Sequence, residues 1–211
     1  MVKLMLYSII SELIDQYTFL NVFKYLTVRT GLAMFTSMAV VLVVGTPFIK
    51  FFSAQQILNP IRKDGPTDHI IKKIGTPTMG GVLILLGLFS GILLWGDLAN
   101  NYIWFLLYIV TSYGFLGAYD DYKKIKFKNS SGISFRFKIV AQILIALLGT
   151  LMLLHFSENE ELTNLYFPFF KNLIINLGWF FIPFSLFIIV GSSNAVNLTD
   201  GLDGLATVPV I

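Results

Sequence analysis

LIINLGWFFIPFSLFIIVGSS, residues 173–193, carries no Asp, Glu, Lys or Arg and runs straight into NAVNLTDGLDG, residues 194–204, where oxygen-bearing side chains suddenly concentrate. At 1.5 Å per residue, a helix over the first part would cross a hydrocarbon core of about 30 Å. The stretch therefore reads as a transmembrane span with a polar cluster at its exit. Four further runs, about residues 31–49, 78–96, 98–119 and 139–157, are equally free of those four residue types. Together they predict an all-α fold, a polytopic transmembrane helix bundle of about five spans. Composition agrees, with 55% hydrophobic and only 13% charged residues among 211. A soluble core of that size would show amphipathic stripes with polar residues every few positions.

The expected domain is a single integral membrane unit over residues 1–211. It opens with an interfacial segment, residues 1–30, in which Lys3, Glu12, Asp15, Lys24 and Arg29 interrupt any spanning run. A cleaved signal peptide is a poor match, because Glu12 cuts the apolar stretch and no small-residue cleavage site follows. The absence of cysteine excludes disulfide and thiolate chemistry and sulfur-based zinc sites.

Orientation follows from the basic residues. The loops after the first and third spans hold Lys50, Arg62, Lys63, Lys72, Lys73, Lys123, Lys124, Lys126, Lys128, Arg136 and Lys138, eleven in all, whereas residues 97–101 and 158–171 hold only Lys171. The two basic loops should be cytoplasmic. The N-terminus is then outside, although its own three basic residues mildly oppose that assignment. The end of the fifth span is cytoplasmic too, so three polar clusters meet one membrane face.

The first cluster is KIGTPTMGG, residues 73–81, in which Lys73, two threonines and three glycines surround Pro77 where a helix is set to begin. Helix-start N–H groups, hydroxyls and an ammonium all favour an anion such as phosphate. The plainer explanation is that Gly80 and Gly81 serve close helix packing. The second is DDYKK, residues 120–124, two adjacent carboxylates leaving the third span. Like charges repel, so a cation or a raised pKa is expected there. Neighbouring helical residues point about 100° apart, so a helix continuing through the pair should keep both from facing one atom and give them different roles. One would bind a metal or orient a lysine, and the other would accept a proton. Alternatively they are a solvated helix end offset by Lys123 and Lys124, although negative charge at a helix C-terminus opposes the macrodipole. The third cluster, residues 194–204, offers Asn194, Asn197, Thr199, Asp200 and Asp203 as oxygen donors for a hard cation such as Mg²⁺, with Gly201 and Gly204 admitting a phosphate. Helix capping at a membrane surface would use the same residue types.

These three clusters, with NVFKYLT at residues 21–27, DGP at 64–66 and PFFK at 168–171, resemble the phospho-N-acetylmuramoyl-pentapeptide transferase family of the polyprenyl-phosphate N-acetylhexosamine-1-phosphate transferase superfamily. The resemblance runs over essentially the whole chain. It implies Mg²⁺-dependent transfer of phospho-N-acetylmuramoyl-pentapeptide from its UDP carrier to undecaprenyl phosphate, giving lipid I and UMP for peptidoglycan at the cytoplasmic face of a bacterial inner membrane. By motif position, Asp120, Asp121 and Asp200 resemble the catalytic carboxylates. Asp120 would deprotonate or orient the lipid phosphate, and Asp121 and Asp200 would hold the metal. Lys73, Thr78, Asn194, Asn197 and Asp203 resemble the substrate contacts, with Lys124 and Lys138 as further phosphate contacts. A homodimer is implied, and no nucleic-acid partner.

The resemblance departs at the C-terminus. Family members have about ten spans, so residues 1–211 read as an N-terminal portion, with a further metal ligand and a histidine-rich loop expected beyond Ile211. This portion alone is expected not to turn over. His69 and His155 have no ligand spacing and do not fill that gap. Two rival readings are an N-acetylglucosamine-1-phosphate transferase, against which the GTPTMGG stretch argues, and a transport or structural membrane protein. Transport predicts charged residues inside the spans, and none is there.

Overall fold

The computed structural model describes residues 6–14, 16–54, 80–127, 132–157 and 160–199. Six α-helices dominate these residues: α1 Leu6–Leu13, α2 Leu26–Ala54, α3 Gly80–Trp95, α4 Asn101–Phe127, α5 Phe135–Phe156 and α6 Phe181–Thr199. A two-stranded hairpin, β1 Asn164–Phe167 and β2 Phe170–Asn176, separates α5 from α6. Helices α2, α4, α5 and the stretch Gly178–Asn197 are long and apolar enough to cross a membrane, and α3 is a shorter apolar helix. The chain is a polytopic membrane helix bundle. Its exterior fits that medium, since Phe35, Val43, Phe115 and Phe187 are each about 70% exposed, a surface that water would not tolerate.

The chain forms two compact units. The first comprises residues 1–104 and 114–134. In it α2 and α3 run antiparallel along facing small residues. A Cβ on Gly87 would stand 2.7 Å from Val41 Cγ2 and 3.1 Å from the Ser37 carbonyl oxygen, and one on Gly91 would stand 2.5 Å from Ser37 Oγ and 2.9 Å from the Ala33 oxygen. The backbones thus approach as closely as a Gly-xxx-Gly face allows, which is how helices associate when lipid removes the hydrophobic drive between them. Ser37 Oγ donates to the Gly87 carbonyl at 2.7 Å, and Trp95 Nε1 donates to Thr36 Oγ1 at 2.9 Å. The Phe23 ring stacks on Trp95 with centroids 6.0 Å apart.

The second unit comprises residues 105–113 and 135–211. Gln142, Ala146, Gly149 and Thr150 are buried at positions i, i+4, i+7 and i+8 of α5, one helical face. A Cβ on Gly149 would stand 2.5 Å from Ile109 Cδ1, so this face receives the 105–113 segment. Gln142 answers its buried amide through α6, whose Asn194 Nδ2 donates to Gln142 Oε1 at 2.8 Å.

Several expected boundaries move. Helix α2 extends past residues 31–49 at both ends, so the segment taken as interfacial gives up Leu26 and the residues after it to the helix. Helix α4 continues beyond residue 119 to Phe127, and α5 begins at Phe135 rather than 139. The fifth span, expected from residue 173, begins later, because residues 170–176 form β2. An uncharged apolar run containing Ile174 and Ile175 cannot be told from a helix by hydropathy alone. What separates the two is Gly178, at φ +47, a left-handed conformation that turns the chain. Pro183 follows within the first turn of α6, where no backbone donor is required. The hairpin is therefore a β element within an otherwise helical chain.

Candidate functional site

The uncharged part of α4 ends at Tyr119, and the helix carries Asp120, Asp121 and Lys124 on its last two turns. Lys124 Nζ lies 2.5 Å from Asp120 Oδ2 and 3.2 Å from Asp121 Oδ1. The expectation that a continuous helix would keep the two carboxylates from one atom is wrong. With about 100° per residue, Lys124 falls about 40° round from Asp120 and about 60° from Asp121, between them and one turn on. A flexible ammonium placed there reaches both. Nor do the aspartates sit at the helix terminus. The last turn belongs to Lys124 and Lys126, whose charges suit the carbonyl end of the dipole.

Asp120 is held from a second direction. Its Oδ1 accepts the backbone N–H of Ile133, thirteen residues on in sequence, at 2.7 Å. Ile133 is 6% exposed. Gly132, at φ +61, makes this approach possible, because any Cβ there would collide with Asp120 Oδ1 and come within 2.9 Å of Lys124 Cε. Asp120 thus has one oxygen on a backbone donor and the other on the ammonium, while Asp121 shares only one oxygen with Lys124. The Asp121 side chain is also the more exposed, at 31% against 18%. Two carboxylates and one ammonium leave a net negative charge. The donor chemistry at Asp121 fits a hard divalent cation completed by ligands from elsewhere.

In the second unit Asn194 lies on α6 with its amide nitrogen shared between Gln142 Oε1 and the Val190 carbonyl, both at 2.8 Å. That nitrogen is committed within the protein. Asn197, three residues on and so along the same flank, is exposed. Lys138 is half-buried in the second turn of α5. Lys73, Thr78, Asp200 and Asp203 lie outside the described residues, as does His69. His155, exposed at the end of α5, packs against Phe156 with ring centroids 5.5 Å apart. Gly80 and Gly81 were candidates for close helix packing, yet a Cβ on either would meet nothing within 4 Å among the described residues.

Two contributors escaped the sequence reading. Gln142 carried a signal, since an amide inside an uncharged run must find a partner. Gly132 carried none, because a glycine in NSSGIS looks like any loop glycine. Replacing Gln142 with leucine should remove the interhelical bond to Asn194 and destabilise α5 against α6 by about 1 kcal/mol. A lowered unfolding temperature of the detergent-solubilised protein would show it.

Comparison with known proteins gives a consistent set of matches. Residues 103–211 match the model of glycosyl transferase family 4, and residues 73–85 match signature 1 of the phospho-N-acetylmuramoyl-pentapeptide-transferases. A phospho-N-acetylmuramoyl-pentapeptide-transferase of Pelagibacter ubique is 82% identical over 98% of this chain and 57% of its own length. Proteins of the same name from Caulobacter vibrioides and Thermodesulfovibrio yellowstonii are 47% and 46% identical, over 98% and 96% of this chain and 58% and 56% of their own lengths. The chain spans somewhat over half the length of these curated relatives.

Proposed function

We propose, since this chain belongs to glycosyl transferase family 4, that it is part of an enzyme that transfers phospho-N-acetylmuramoyl-pentapeptide from UDP-N-acetylmuramoyl-pentapeptide to undecaprenyl phosphate. The products are lipid I and UMP. The observation that carries this reading is the match of residues 73–85, which include the GTPTMGG run, to signature 1 of the phospho-N-acetylmuramoyl-pentapeptide-transferases. The proposed setting is the cytoplasmic face of a bacterial inner membrane, with the N-terminus outside and a homodimer as the assembly.

In the proposed reaction an oxygen of the lipid phosphate attacks the phosphorus bonded to the muramoyl sugar. A new P–O bond forms there, the bond to the bridging oxygen breaks, and UMP leaves with that oxygen. Catalysis then depends on placing positive charge over the phosphoryl oxygens and holding acceptor and donor in line. Lys124, fixed between two carboxylates, presents one ammonium in a set direction. Of the two roles considered for Asp120, orientation suits its geometry better than proton abstraction, as both of its oxygens are engaged. Asp121 and Asp200 would hold Mg²⁺ with a further ligand from beyond Ile211, and the ion would supply charge neutralisation at the diphosphate. Lys73, Thr78, Asn197, Asp203 and Lys138 would bind the nucleotide and its phosphates, while Asn194 would offer its carbonyl oxygen, its nitrogen being committed to Gln142.

The full-length protein in detergent with undecaprenyl phosphate tests this. UMP release should require UDP-N-acetylmuramoyl-pentapeptide, resist competition by UDP-N-acetylglucosamine, and stop on chelation of Mg²⁺. Asp200→Asn should lower it by about two to three orders of magnitude. Equal turnover of UDP-N-acetylglucosamine would move the protein to the sibling class.

A further inference from the structure

Among the described residues two polar side chains are buried, Gln142 at 2% and Thr150 at 1% exposure, both on the face of α5 that also buries Ala146 and Gly149. They are satisfied differently. Thr150 Oγ1 donates to the Ala146 carbonyl at 2.9 Å, a bond within its own helix. The Gln142 side-chain oxygen reaches across to α6, where it accepts from Asn194 Nδ2. If packing alone were required, an apolar side chain would fill this place without the cost of carrying an amide into the membrane. A buried polar group inside a span calls for a task.

The hydrogen bonds around Asn194 fix which way its amide points. The Val190 carbonyl oxygen, one turn back on α6, can only accept, so the side-chain atom 2.8 Å from it must be the nitrogen. That nitrogen has two hydrogens, and the Gln142 oxygen, also at 2.8 Å, takes the second. Both donors are spent. Oδ1 is left without a hydrogen-bond partner among the described residues, on a half-buried side chain about 8 Å before the end of α6. The Val190 bond alone would hold this orientation loosely, because that carbonyl also serves the helix's own backbone ladder. Gln142 supplies the second point of attachment, from a side chain that burial holds still.

We propose that Gln142 is a positioning residue of the nucleotide site. By holding Asn194 Nδ2, it keeps Oδ1 as the one function that Asn194 can offer a ligand. The partner of that oxygen must then be electropositive, an N–H or O–H of the nucleotide or a bound cation, and a phosphate oxygen is excluded. An amide free to rotate would accept either kind of group. A held one rejects the wrong kind, because two facing oxygens leave both lone pairs unanswered. The role rests on the transferase reading, which puts Asn194 at the nucleotide, and Gln142 acts on the ligand only through that residue.

Binding by the full-length protein in detergent, without undecaprenyl phosphate so that nothing turns over, separates the outcomes. Titration calorimetry with UDP-N-acetylmuramoyl-pentapeptide should give Gln142→Met a Kd about five- to tenfold above the parent's, the loss of one held hydrogen bond. Gln142→Glu keeps an oxygen for Asn194 in either protonation state and should stay within about twofold of the parent. In an Asn194→Ala background, Gln142→Met should cost nothing more, since no amide is left to hold. Losses that multiply in the double variant would make Gln142 a packing residue only, and they overturn the proposal, as does parental affinity in Gln142→Met alone. Should Gln142→Met not fold, Gln142→Thr takes its place, because threonine can bond its hydroxyl within α5 as Thr150 does yet is too short to reach Asn194. Repeating the titrations in EDTA identifies the partner: a loss that persists without Mg²⁺ points to an N–H or O–H of the nucleotide, and a loss seen only with Mg²⁺ points to the cation. A parent protein that binds no UDP-N-acetylmuramoyl-pentapeptide sinks the transferase reading and this role with it, a result distinct from any difference between variants.

Discussion

Replacing Gly132 with alanine in the full-length protein is expected to lower the rate of the proposed transfer by about a hundredfold while nucleotide KM stays within about twofold, the pattern expected if Asp120 and Lys124 have the proposed roles and are misplaced. The substitution acts twice. It forces an L-residue into φ +61, and it drives a Cβ into the space held by Asp120 Oδ1 and Lys124 Cε. The Ile133 N–H that anchors the carboxylate would move with the turn, releasing Asp120 and with it the direction of the Lys124 ammonium. Gly132→Asn separates the two effects, because asparagine tolerates the left-handed conformation but still brings the Cβ. Asparagine should recover part of the thermal stability lost in alanine and none of the rate. Recovery of both would mean that backbone strain alone was responsible. Asp120→Asn keeps an acceptor for Ile133 but removes the charge that pairs with Lys124, so it too should lower the rate with little change in unfolding temperature.

Gly91→Val should be the most damaging single change to the first unit. The Cβ at this position would meet Ser37 Oγ at 2.5 Å and the Ala33 carbonyl oxygen at 2.9 Å, and a backbone atom cannot rotate aside. Helices α2 and α3 would have to part, breaking the Ser37 to Gly87 hydrogen bond and the Trp95 to Thr36 bond together. Overpacking costs about 1–3 kcal/mol in a packed core. The loss of close backbone approach adds to that in lipid, where such approach supplies much of the association. The expected result is a protein that unfolds well below the parent temperature in detergent, or that is recovered only as aggregate. Gly31→Val is the matched control, since a Cβ at Gly31 meets nothing within 4 Å and α2 continues through it. Equal destabilisation by the two would show that β-branching in α2 and α3, rather than their contact, was being measured.

Much of this protein is written in the order of its residues. Spans free of charge must be helical in lipid, because every backbone donor and acceptor has to be satisfied within the segment. Each of the five runs therefore returns as a helix over at least part of its length, four of them of spanning length and Gly80–Trp95 somewhat shorter. The pairing of Lys124 with both Asp120 and Asp121 was also implicit, since helical periodicity puts residues three and four apart on one flank, although the sequence reading counted only the 100° between neighbours. Three things needed the folded chain. The hairpin at residues 164–176 arose where an apolar run could serve either secondary structure, and strand pairing between Asn164 and Asn176 decided it. The close face of α3 is set by which glycines meet another helix, so Gly87 and Gly91 are packed, whereas a Cβ on Gly80 or Gly81 meets nothing within 4 Å among the described residues. The anchoring of Asp120 comes from an amide thirteen residues away, and hydropathy and motif spacing are blind to it. Local patterns report what a segment can bury, whereas a contact between segments depends on the path the chain takes between them.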